Sequence, residues 1–171
     1  METRQGWDDM AWSADLDSLR ATSSELLLAL RGQAIRTAHV VLYEPWKMIH
    51  AATPVVLEFE NGVHLEAWTI YVSDFTVTWN SIDMAKPPFY WIDKPDSESR
   101  WIEGGNPVLS DVLPNRVVDI AFLAGDNALT QCGGIHLSFA DGAQLIVANY
   151  ADDVFIGSRI PKGMVRVPIR G

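Results

Sequence analysis

Among the groups able to do chemistry, the sequence offers 22 carboxylates, four histidines, one cysteine and seven tryptophans. Asp74 and the adjacent Asp152 and Asp153 stand at matching places in two similar stretches of chain. A twofold axis relating those stretches would bring the carboxylates face to face, and paired carboxylates at a suitable separation hydrolyse glycosidic bonds by acid–base catalysis. Acidic residues beside strands have a simpler use, because Asp accepts hydrogen bonds from nearby backbone N–H groups and so shapes turns. The turn reading is favoured, and no catalytic residue is assigned. His39, His50, His64 and His136 do not stand at metal-ligand spacing from one another, from Cys132 or from a carboxylate. No metal or cofactor is therefore expected. His64 and His136, next to the two hairpins, fall by side-chain parity on the polar face of their strands. Cys132 lacks a neighbouring cation or base to lower its pKa and reads as a buried small residue. No Gly-x-Ser-x-Gly elbow and no phosphate-binding glycine loop occurs, so a non-enzymatic protein is expected.

Tryptophans and charge say more. Trp68 and Trp79 fall in strand-like segments and read as structural. Trp91 and Trp101 lie in an irregular stretch with Tyr90, Asp93, Asp96, Glu98 and Glu103. Large rings among carboxylates match the composition of a binding hot spot, in which the ring buries area and the charges steer; the other use of such rings is to pin a long loop to the core. The formal net charge is −9, and no Lys or Arg occurs between residues 48 and 85 or between 117 and 158. A field of one sign repels nucleic acid and anionic membrane and attracts a cationic partner. The candidate partner-binding residues are Asp74, Trp91, Asp93, Asp96, Glu98, Trp101, Glu103, Asp152 and Asp153.

These residues need elements to hold them. A chain of 171 residues suits a single domain, and 48% hydrophobic with 20% charged residues is a folding composition. One cysteine forbids an internal disulfide and fits a reducing compartment. The first 17 residues carry five acids against one Arg, the reverse of a secretory signal, and apolar runs such as 26–30 are far shorter than the roughly 20 residues that span a bilayer. A soluble, cytoplasmic protein is expected.

Thr22 followed by Glu25 matches a capping box ahead of 26–30, and Gly32 suits the left-handed position after a helix. A short helix is predicted over 23–31, with a looser turn at 16–21. Strands are predicted at 34–43, 54–59, 63–71 and 75–79, then at 117–123, 134–139, 143–150, 154–157 and 164–169. Between the sets, 81–115 holds five prolines and Gly104-Gly105 and reads as an irregular connection, either functional or partly ordered by its aromatics. Leu57-Glu58-Phe59-Glu60-Asn61-Gly62-Val63-His64-Leu65 matches Leu137-Ser138-Phe139-Ala140-Asp141-Gly142-Ala143-Gln144-Leu145 at a constant offset. We read an internal repeat, about 34–80 and 117–158. In each hairpin a three-residue loop (60–62, 140–142) puts Leu57 and Phe59, or Leu137 and Phe139, on the same face as Leu65 or Leu145; a two-residue turn would mix polar and apolar groups on each face. The fold class is α+β, mostly antiparallel β: one N-terminal helix plus two duplicated hairpin or meander units sharing a core.

A helix ending in Leu-Arg-Gly-Gln-Ala-Ile, then a strand and a Leu-x-Phe-x-[Asn/Asp]-Gly-x-x-Leu hairpin, resembles small bacterial immunity proteins of polymorphic toxin and contact-dependent inhibition systems. The resemblance covers about 26–65 and recurs at 117–153. It implies a protein that binds a cognate toxin, often a basic nuclease, and covers or distorts its active site. The alternative is a small-molecule or carbohydrate-binding module in which Trp79, Trp91 or Trp101 stacks on a ligand.

Overall fold

The computed structural model describes residues 15–50, 53–70, 74–89, 97–150 and 153–169. Its main helix, α1 (Leu16–Ala29), begins about two turns before the predicted start. The cap is Asp15, whose carboxylate accepts from the Ser18 N–H at 2.8 Å, and not Thr22, which sits inside the helix with its hydroxyl donating to Ser18 O at 3.0 Å. The capping-box reading fails because Leu16, Leu19, Ser23, Leu27 and Leu30 form one buried stripe at helical spacing. That stripe carries the helix through Thr22. Beyond Leu30 the chain leaves as expected, with Gly32 at φ +83°.

Two antiparallel sheets follow. In the first, β1 (Ile35–Tyr43), β3 (Val55–Phe59), β4 (His64–Ile70) and β5 (Asp74–Trp79) form a meander, and β6 (Ser99–Glu103) returns to pair with β1. A two-residue β2 (Met48–Ile49) folds back on the end of β1. In the second, β7 (Val117–Gly125), β8 (Ala128–Phe139), β9 (Gln144–Tyr150) and β10 (Asp153–Gly157) form the meander, and β11 (Met164–Pro168) returns to β7. Strand for strand the path is the same: β5-β4-β3-β1-β6 beside β10-β9-β8-β7-β11. The connection 81–115 is correspondingly more regular than its composition predicts. It contains β6 and a short helix, α2 (Pro107–Asp111), with Asn106 as cap and Pro at the first position.

The likeness extends to detail. Both sheets shift register at the start of the first strand, between Ile35 and Thr37 and between Val117 and Asp119. Both hairpins close with three-residue loops. The Phe59 N–H donates to Val63 O at 2.9 Å, and the Phe139 N–H to Ala143 O at 3.0 Å. Gly62 and Gly142 take φ +82° and +88°, open to glycine at no steric cost. Just ahead of β1 and β7, Ala34 and Arg116 pair as an antiparallel bridge. The Ile35 N–H donates to Asn115 O (3.0 Å) and the Val117 N–H to Gln33 O (2.9 Å). An antiparallel pair between matching residues is what a local twofold axis produces.

One apolar cluster gathers the inner faces of both sheets, including Leu57, Phe59 and Leu65 from one and Leu137, Phe139 and Leu145 from the other, with the α1 stripe and Leu109 of α2. The outer faces carry smaller clusters. On the first sheet Val56, Trp68 and Ile82 lie beneath Met84 and Trp101; on the second Leu123, Ile146 and Ala148 lie beneath Phe155, Ile160 and Met164. Glu66 stands beside Trp68 with 0% of its surface exposed. Its carboxylate accepts from the Ser81 N–H (2.7 Å) and Ile82 N–H (2.8 Å) and from the hydroxyls of Thr78 and Ser81. Those donors make the burial tolerable and staple the chain leaving β5 onto the sheet. Among the described residues no helix is long and apolar enough to cross a membrane.

Candidate partner-binding surface

The two sheets differ in their connections. β7 turns into β8 through residues 126–127, whereas β1 reaches β3 through 44–54; β10 reaches β11 through 158–163, whereas β5 reaches β6 through 80–98. Both long excursions belong to the first sheet, and they meet. The ring of His50, from one, lies 4.9 Å from that of Phe89, from the other, at 67°. Folding the meander does not require either excursion, since the second sheet manages without them.

Beside this junction the first excursion exposes two large apolar side chains. Glu44-Pro45-Trp46-Lys47 makes a tight turn, with Lys47 at φ +53°. A side chain at the tip of such a turn cannot reach the core, and Trp46 is 73% exposed and Met48 54% exposed. The Tyr43 and Trp46 rings stand nearly perpendicular, at 87° with centroids 5.4 Å apart, and Tyr43 and His50 do the same at 6.2 Å. The Tyr43 hydroxyl donates to Glu98 Oε2 at 3.0 Å. Glu44 accepts from both Lys47 and Arg100; these bonds, that from Lys47 foremost, hold its carboxyl below the ordinary carboxylate range. Phe89 sits at φ +65°, a region a bulky side chain occupies only when its surroundings over-determine it.

The sequence-derived candidates distribute unevenly about this surface. Glu98 joins it through Tyr43. Trp101 is half-buried, packs on the Val56, Trp68 and Ile82 cluster, and donates from Nε1 to Lys86 O at 3.2 Å; it pins the second excursion to the sheet. Glu103 is exposed at the far end of β6. Asp153, exposed at the start of β10, accepts from the Val154 N–H at 2.8 Å. Trp91, Asp93, Asp96 and Asp152 lie outside the described residues, as does the side chain of Asp74.

Charge is less one-sided in space than along the chain. Of the acids in the spans free of Lys and Arg, Glu66 is buried, and cations from elsewhere reach four others, Asp83 from Lys86 at 3.9 Å among them. Arg36 lies 3.4 Å from Glu58, Arg116 bonds Glu60, and Asp119 receives both Arg31 (2.6 Å) and Arg166. The exposed acids with no cation at ion-pair distance among the described residues include Glu25, Glu103, Asp111, Asp126 and Asp153.

The remaining titratable groups follow the bland expectations in part. Cys132 is buried, and burial pushes its thiol up to about 12. His39 and His136 occupy the same kind of place in the two sheets, on the outer face of the first strand pair, opposite Val56 and Ala121. Burial lowers the pKa of both, against opposition from Glu103 and Glu58 at His39 and from Gln144 at His136. Each leaves its Nδ1 buried without a partner. His136 thus points away from the shared core as parity predicts, yet is only 5% exposed. No group of three or more His, Cys, Asp or Glu able to hold a metal occurs among the described residues.

Sequence reasoning overlooked Tyr43, Trp46, Met48, His50 and Phe89. The available signal was Tyr-Glu-Pro-Trp-Lys-Met directly after a strand, a tryptophan beside a proline turn where it has no core to enter. Comparison with known proteins gives no match to any family model, to any curated protein or to any solved structure.

Proposed function

We propose that this protein is an inhibitor of the immunity type, binding a cognate cationic toxin domain in the cytoplasm and occluding its active site. The supporting observation is the exposed pair Trp46 and Met48 beside the half-buried rings where the two excursions of the first sheet meet, on a body of net charge −9. A surface of this kind serves association: the long-range field raises the encounter rate, and a buried ring slows release. The test is co-expression with the carboxy-terminal domain of the protein encoded immediately upstream, read by growth rescue and co-purification. Rescue with a stable complex supports the reading. A domain harmless on its own, or one that kills equally with this protein present, overturns it. Tryptophan quenching by an oligosaccharide, without any protein complex, would favour the carbohydrate-module alternative.

A further inference from the structure

We infer that Trp46, at the tip of the β1–β2 hairpin, is the anchor that enters an apolar pocket on the partner protein, and that the partner's positive charge surrounds this pocket and does not line it. The inference rests on the binding reading above and names its contact.

Three observations carry it. Trp46 does little for the fold: it is 73% exposed, and Met48 beside it is 54% exposed. It is nevertheless held in place. Tyr43 braces the ring edge-on at 5.4 Å, Glu98 fixes the Tyr43 hydroxyl at 3.0 Å, and Glu44 ties the turn to β6 through Lys47 and Arg100. A ring ordered before binding loses little conformational freedom on docking, the condition under which an aromatic becomes a hot spot.

Among the described residues, the charges nearest the ring also balance. Glu44 and Glu98 stand with Lys47 and Arg100, whereas acids with no cation at ion-pair distance among the described residues, such as Asp111, Asp126 and Asp153, lie elsewhere on the chain. A cation in the partner's pocket would be desolvated against a neutral tip at a net cost; placed outside it, the same cation is drawn by the field of the whole molecule. The 87° angle between Tyr43 and Trp46 further disfavours a sugar, which stacks best across rings sharing one plane.

The experiment measures binding kinetics of the purified protein against the carboxy-terminal domain of the upstream protein, at two salt concentrations. Trp46→Ala should dissociate roughly 30-fold faster, as a hot-spot ring does, with its association rate and salt dependence unchanged. Leu129→Ala, which removes an exposed side chain in β8 just after the corresponding turn of the second sheet, should bind as wild type. An unchanged melting curve for Trp46→Ala will confirm that the variant folds. If wild type binds and Trp46→Ala dissociates equally slowly, the anchor is misplaced and the inhibitor reading survives. If Trp46→Ala flattens the salt dependence, the neutral-pocket part is wrong. If wild type does not bind the domain at all, the reading and the inference fall together.

Discussion

Glu66 looks in the sequence like one more acid on a negatively charged strand, yet it has no exposed surface. Its value lies in four donors from Thr78, Ser81 and Ile82, none of which can be read from a linear pattern. Replacing Glu66 by Ala strands those donors, which costs about 3 kcal/mol when buried polar groups are orphaned. Urea denaturation should show that loss, and a change within 0.5 kcal/mol, on the order of an ordinary surface substitution, would mean that water replaces the carboxylate freely. The half-buried His39 and the buried His136 make a prediction of opposite character. Burial favours their neutral form, so the folded pKa of each lies below the unfolded value of about 6.5. Between the folded and unfolded values the unfolded chain binds more protons. Stability is therefore complete above about pH 6.5 and declines as pH falls through and below it. The denaturant midpoint should be lower at pH 5.5 than at 7.5, and less so in His39→Gln/His136→Gln; an equal or higher midpoint at pH 5.5 in wild type counts against it. At this scale the sequence displayed residue types and hid their environments. Trp101 and Trp46 are both tryptophans near carboxylates, but only three-dimensional packing distinguishes the pin from the exposed ring.

Elements were the legible level, because their signals are local. Alternation along 55–59 and 64–70, with Gly62 between them, leaves one register that buries Leu57, Phe59 and Leu65 together, and the observed pairing of Leu57 with Leu65 and Glu58 with His64 is that register. The second hairpin repeats it with Leu137 opposite Leu145. Truncating Phe59 or Phe139 to Ala should accordingly cost about 3–5 kcal/mol, measured by equilibrium unfolding. At the loop itself, Gly62→Ala and Gly142→Ala meet no steric obstacle within 4 Å and pay only for the left-handed backbone. Each should lose roughly 1 kcal/mol, and thermal melts that show no shift would place the loop in another conformation. The helix start was misread for a reason that is equally local. A capping box needs only two side chains at the right spacing, and Thr22 with Glu25 supplies them inside a longer helix whose extent is set by burial against the sheets. Strand β6 escaped detection because Ser99–Glu103 is short, mixed in polarity and stabilised by pairing with β1, some 60 residues earlier in the chain.

At the scale of the whole molecule the two sheets look like separable copies, and the energetics say otherwise. Each has its own continuous hydrogen-bonded strand path, so backbone pairing alone would let either stand by itself. Their apolar faces do not permit it. Phe59, Leu65 and Phe75 of one sheet and Phe122, Leu137 and Phe139 of the other belong to one buried cluster, and α1 closes that cluster by packing on β7, β8 and β5 together. Removing one sheet would expose the inner face of the other, at about 25 cal/mol for each Å² of apolar surface returned to water. A handful of large side chains then amounts to several kcal/mol, a loss comparable to the whole stability of an ordinary domain. The bridge between Ala34 and Arg116, with its reciprocal bonds to Asn115 and Gln33, would be lost as well. A fragment spanning residues 114–171 contains every strand of the second sheet and should still fail to fold alone, giving a non-cooperative melt and binding a dye that reports exposed apolar surface. Supplying residues 1–113 in trans should restore a cooperative transition, since the missing face and helix return with it. A fragment that melts cooperatively by itself, at a midpoint near that of the full chain, would show that the shared core contributes far less than its buried area indicates.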